Sequence, residues 1–159
     1  MKLRAVSYGA ICLISLTFAS YSLYQGLRPA KSRAGYEPGD RFQMPDRSSW
    51  QRQALVIWAS PDCGACQESA RFFRDLTALP RATDVVLLGR ESVDVLTRFA
   101  AEHKLTPDRI VSTAGSNLRF RFFPTMVLMS RSGSVSQAWV GRDPKREASL
   151  IDLVRVGGK

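Results

Sequence analysis

An α/β fold, with a central mixed β-sheet flanked by helices and an N-terminal membrane-anchor helix, is the class that this 159-residue chain predicts. Three observations carry it. Between residues 54 and 103 two apolar runs alternate with two amphipathic stripes, an order that builds a strand-helix-strand-helix unit and so a parallel strand pair. Further on, Thr125–Ser130 and Val135–Val140 are apolar runs joined by Arg131-Ser132-Gly133-Ser134, a hairpin signal that brings antiparallel pairing into the same sheet. At the start, Met1-Lys2-Leu3-Arg4 precedes Ala5–Leu27, a run with no charged side chain.

That first run has the layout of a secretory signal or signal anchor, and at about 1.5 Å per residue it is long enough to span a bilayer. Tyr21 and Tyr24 suit an interface belt at its outer end. Cleavage at Thr17-x-Ala19 is the alternative, and a retained anchor over residues 1–27 is preferred. Cys12, inside the run, reads as a small hydrophobe without function. Residues 28–53, with Pro29, Gly35, Pro38, Gly39 and Pro45 among charged and small residues, read as a linker and lead-in to a domain over 54–159. Phe42 and Trp50 are expected to cover the margin of its core.

Within the domain, Ala54–Ala59 is a short apolar run bounded by turn residues, hence a buried strand, stopped by Pro61. Phe72, Leu76 and Leu79 give the next helix a buried stripe, and Pro80 ends it. Asp84–Gly89 is a second buried strand. Ser92 caps a helix that runs to His103, with Val95, Leu96 and Phe99 inward. His103, the only histidine, stands at that helix's C-terminal end, where capping or surface exposure is favoured over catalysis. Residues 105–118 are irregular apart from a short strand at Arg109–Ser112. Met126 and Met129 fall within a strand and read as core rather than copper ligands. Asp143-Pro144 opens the last helix, which packs Leu150, Ile151, Leu153 and Val154 on the sheet.

Chemistry concentrates in one place. Cys63-Gly64-Ala65-Cys66 sits where the first strand gives way to the first domain helix. The opening turn of a helix carries unpaired N–H groups and the positive end of the helix dipole, both of which favour a thiolate, so Cys63 is expected to be the nucleophile. Cys66, almost one turn further, is placed to attack a mixed disulfide on Cys63 as the resolving thiol. The same spacing serves half a zinc site, but only His103 and the distant Cys12 remain to complete one, so redox chemistry is preferred and no metal is assigned. Asp62 and Glu68 flank the pair as modulators; no acid lies in the preceding strand, which leaves Glu68 as a weak candidate to take the Cys66 proton.

The formal net charge of +9 does not point to nucleic acid. Five of the 23 Lys and Arg precede residue 34 and all 14 acids follow it, so the domain's own excess is small and spread along the chain. One core, no repeat and three cysteines also exclude a multidomain chain or a disulfide-stapled framework.

Ile57-Trp58-Ala59-Ser60, Cys63-Gly64-Ala65-Cys66, Phe123-Pro124-Thr125, Ser132-Gly133 and Gly141, with the lead-in Gly39-Asp40-Arg41-Phe42, resemble the thioredoxin superfamily. Within it the likeness is to membrane-anchored TlpA- or ResA-like periplasmic thiol-disulfide oxidoreductases, with a secondary likeness to MauD-type maturation proteins. The resemblance implies a thioredoxin-like fold and a redox-active Cys63–Cys66 disulfide with no other cofactor. It also implies a cis Pro124 facing the cysteines, with Phe123, Pro124 and Thr125 binding substrate. A proline there removes one N–H and leaves neighbouring backbone groups to pair with an extended client. Two departures stand out: Asp62 replaces the tryptophan that usually precedes the first cysteine, and Ser69 stands where the family often has a glutamate.

The partners implied are protein thiol or disulfide clients, an upstream membrane or periplasmic reductant, and the membrane itself. The implied location is the bacterial inner membrane, single-pass, with the domain in the periplasm. Gly64-Ala65 supplies no charge and Asp62 opposes a thiolate, which favours a reductant, for example of apocytochrome c or metal-site cysteines. The alternatives are a MauD-like maturation factor or chaperone for one client, and a redox-inert binding domain.

Overall fold

Five consecutive apolar residues, Ala54-Leu-Val-Ile-Trp58, form β1, and all five are buried, as a strand covered on both faces must be. The computed structural model describes residues 34–45, 50–142 and 144–156, within the unit Ser32–Lys159. The expected anchor, Cys12 and the Asp143 cap lie outside the described residues. Among the described residues no helix is long and apolar enough to cross a membrane.

After β1 come α1 (Gly64–Ala78), β2 (Asp84–Gly89), α2 (Val93–Glu102) and β3 (Arg109–Ser112), followed by β4 (Thr125–Met129), β5 (Val135–Val140) and α3 (Pro144–Val156). The sheet order is β3-β2-β1-β4-β5. β1 and β2, and β2 and β3, pair in parallel, while β1/β4 and β4/β5 are antiparallel, so the sheet is mixed as expected. β1 ends one residue earlier than predicted, although Ala59 N–H still donates to Leu88 O at 2.9 Å and extends the ladder by one bond.

The period of two along the strands divides the core. Leu55, Ile57 and Ala59 of β1 and Val85 and Leu87 of β2 face Phe73 and Leu76 of α1, Leu96 and Phe99 of α2, and Leu150 and Val154 of α3. Val56 and Trp58, with Val86 and Leu88, face the other way, onto Tyr36, Phe42, Met44 and Phe120. The lead-in therefore joins the core, and it is held to the β4–β5 hairpin by Gly39 N–H to Val135 O (2.8 Å) and Phe42 N–H to Gly133 O (2.9 Å).

Two residues expected to point inward are only half-buried. Leu79 is the C-cap of α1, where extended backbone ahead of Pro80 turns it off the helical stripe. Val95 lies at the edge of the α2 stripe, whose buried residues are Leu96, Phe99 and Ala100. The C-terminal end of α1 is closed by Arg81, which donates to Thr77 O, a carbonyl the helix leaves open, and ties it to the loop before β3 through Thr106 O (2.9 Å) and Asp108 (2.9 Å).

Candidate active site

Cys63 is the N-cap of α1, with extended backbone (φ −94°, ψ 108°). Its carbonyl accepts the N–H groups of Cys66 (2.9 Å) and Gln67 (3.1 Å), and its sulfur also accepts from Cys66 N–H at 3.2 Å. The sulfur thus takes the place that an Asn, Asp or Ser oxygen takes at an ordinary cap. The turn before it is tied by Cys63 N–H to Ser60 O (3.2 Å), and Gln67 Nε2 donates to Pro61 O (2.8 Å).

The two thiols, both free, differ sharply in access: Cys63 is half-buried and Cys66 is fully buried. Burial pushes the Cys66 thiol far above its ordinary value, and a hydrogen bond with the Cys63 sulfur adds to the effect. The charges of Cys63 and Glu91 act in the same direction, against a hydrogen bond from the Ser60 backbone.

β1 and β4 bring the second part of the site. Their register sets Trp58 opposite Thr125, so the residues entering β4 come beside the turn that leads from β1 to Cys63. The Phe123–Pro124 peptide bond is cis, and Pro124 O accepts Gly141 N–H at 2.7 Å. Phe123, half-buried, packs against the cluster that contains Cys66. Thr125 is fully buried and its hydroxyl donates to Phe122 O at 2.7 Å, so it shapes the strand start and offers no side-chain group to a client. Asp62 is exposed, its N–H directed to Ser60 Oγ at 3.3 Å; Glu68 is exposed on α1, turned away from the buried thiol.

Three features of the site are missing from the sequence reading. Trp58 is stacked between Phe120 (4.7 Å) and Phe123 (4.9 Å), and the Arg90 guanidinium lies 5.8 Å from the Trp58 ring and 5.7 Å from that of Phe123. Phe122 is 51% exposed beside them. Ser60 Oγ donates to Glu91 Oε1 at 2.5 Å, from the end of β1 to the loop after β2. The Arg90-Glu91 pair directly after a buried strand was the available signal, because parallel strands deliver the residues beyond their C-terminal ends to one rim.

This is a thioredoxin-like fold, with the cysteine pair where the central strand hands over to its helix. Neither a family model nor a curated protein sequence matches the chain. Solved structures do. A thiol:disulfide interchange protein from a Bacteroides species aligns with a TM-score of 0.57 at 10% identity, covering 76% of this chain and 91% of that one. A secreted Mycobacterium tuberculosis disulfide oxidoreductase homologous to E. coli DsbE aligns at 0.52 and 13% identity, covering 79% and 100%. StoA from Bacillus subtilis aligns at 0.53 and 17% identity, covering 72% and 96%. At these identities the likeness establishes the fold.

Proposed function

We propose that this chain is a thiol-disulfide oxidoreductase that reduces disulfides in partner proteins outside the cytoplasm. The observation that carries the reading is the unequal pair: an accessible sulfur at a helix start, with a second sulfur buried one turn behind it. In the reaction, the Cys63 thiolate attacks a client disulfide, forming a mixed disulfide and expelling one client thiolate. Cys66 then attacks the Cys63 sulfur, the bond to the client breaks, and the Cys63–Cys66 disulfide holds the two oxidising equivalents until an upstream dithiol removes them. Phe123 and Pro124 border the approach to Cys63, and the exposed Phe122 and Arg90 extend that border. The proteins that share the fold and carry interchange or oxidoreductase names support this reading.

The reduced full-length chain is expected to reduce insulin disulfides, and Cys66→Ser to accumulate client mixed disulfides that dithiothreitol releases. Absence of both would leave the cysteines structural. Capture of a single client without insulin reduction would favour a dedicated maturation factor.

A further inference from the structure

We propose that Glu91, in the loop after β2, is the acid-base partner of Cys66, with Ser60 holding its carboxylate in place. The assignment rests on the oxidoreductase reading. It begins with a polar atom that has no partner: Glu91 Oε2 is buried and accepts no hydrogen bond, while Oε1 is pinned by the Ser60 hydroxyl at 2.5 Å. Leaving a buried carboxylate oxygen unpaired costs free energy, so a role for it is expected.

The free oxygen lies on the thiol's side of the sheet. A Cβ built on Gly89 would stand 2.9 Å from Glu91 Oε2 and 2.5 Å from Leu96 Cδ2. Leu96 belongs to the cluster that contains Cys66, and Gly89 continues the Val85 and Leu87 face that lines it. Glycine at 89 therefore leaves the space that the carboxylate fills. Ser60 links the cysteine turn to Glu91, since its carbonyl accepts from Cys63 N–H at 3.2 Å and its hydroxyl donates to Glu91 Oε1. Capping of α2 does not account for Glu91, because Val95 N–H donates to Ser92 Oγ.

Other charged groups are directed elsewhere. Asp62 and Asp94 are exposed, and Arg90 lies over the Trp58 and Phe123 rings. Cys63 is the other titratable group beside Cys66.

The Cys66 S–H proton passes to Glu91 Oε2, the sulfur electron pair forms the bond to Cys63, and the Cys63–client bond breaks. The client sulfur leaves as a thiolate that takes a proton from solvent. When the upstream dithiol reduces the pair, Glu91 returns the proton to Cys66.

The two thiol steps separate with a chromogenic aromatic disulfide, 5,5′-dithiobis(2-nitrobenzoate), added to the reduced full-length chain carrying Cys12→Ser. The first release of thionitrobenzoate reads attack by Cys63. The second, independent of reagent concentration, reads attack by Cys66. Wild type, Glu91→Gln, Glu91→Asp and Ser60→Ala are compared from pH 5 to 9, with thermal melts to confirm folding. The expected result is an unchanged first phase, and a second phase slowed at least tenfold near neutral pH in Glu91→Gln and rising in proportion to hydroxide. Glu91→Asp should restore part of the rate, and Ser60→Ala should fall between. A Glu91→Gln variant with the wild-type second phase and pH profile would overturn the assignment and leave the oxidoreductase reading intact; if Glu91→Gln does not fold, wild-type kinetics in both Glu91→Asp and Ser60→Ala would do the same. A wild type that never releases the second equivalent would overturn both.

Discussion

At the scale of single residues, the difference between the two thiols is also a difference in linkage to stability. Cys66 is fully buried, and burial raises its folded-state value above that of the unfolded chain. Above the ordinary thiol value of about 8.5, the unfolded state loses the proton while the folded state keeps it. The stability this group contributes is therefore complete below that pH and is lost as pH rises beyond it. In the reduced protein, denaturant titrations between pH 8 and 10 should show a decline steeper in wild type than in Cys66→Ala, by up to about 1.4 kcal/mol per pH unit. Equal slopes would mean that Cys66 opens to solvent in the native state. The Cys63 and Cys66 pair was legible in the sequence because it is local, three residues apart at a strand-to-helix boundary. Ser60 and Glu91 were not, being separated by 31 positions and joined only by the parallel register of β1 and β2.

Among elements, α2 illustrates which signals carry far. Ser92, the Leu96 and Phe99 stripe and the stop near His103 together placed the helix, which runs over Val93–Glu102 with Ser92 as N-cap and His103 as C-cap. β2, β3 and β5 fall on their predicted spans, because a run of four to six residues between turn signals leaves little freedom. What local pattern does not supply is the depth of each face, which the neighbouring element decides; hence the half-buried Leu79 and Val95. Replacing Ser92 with Ala removes the acceptor for Val95 N–H and should cost about 1 kcal/mol, read as a lower denaturant midpoint with an unchanged slope. Because Ser92 caps and Glu91 does not, this variant should keep the wild-type rate of Cys66 attack, which distinguishes loss of the cap from loss of the carboxylate.

For the whole molecule, the two sheet faces are covered by different means. The described helices contribute to one cluster, whereas the other face relies on the lead-in and on the segment around Phe120. Gly35 is the tightest point of that cover: its φ is +83°, and a Cβ there would stand 2.0 Å from Arg119 O. Gly35→Ala should destabilise the fold by at least about 1–3 kcal/mol from backbone strain, and binding of a hydrophobic dye should rise as the Trp58 face opens. Unchanged stability would show that the lead-in can lift away freely. The register that sets Trp58 against Thr125 has a consequence in time. During synthesis the cysteine pair emerges well before β4, and at about 5–20 residues per second the intervening stretch of roughly sixty residues takes about 3–12 s. Through that interval β1 lacks its antiparallel neighbour, and the cluster that contains Cys66 lacks Phe123. The nascent chain thus carries both cysteines for seconds before the strand that pairs with β1 on this side has been made.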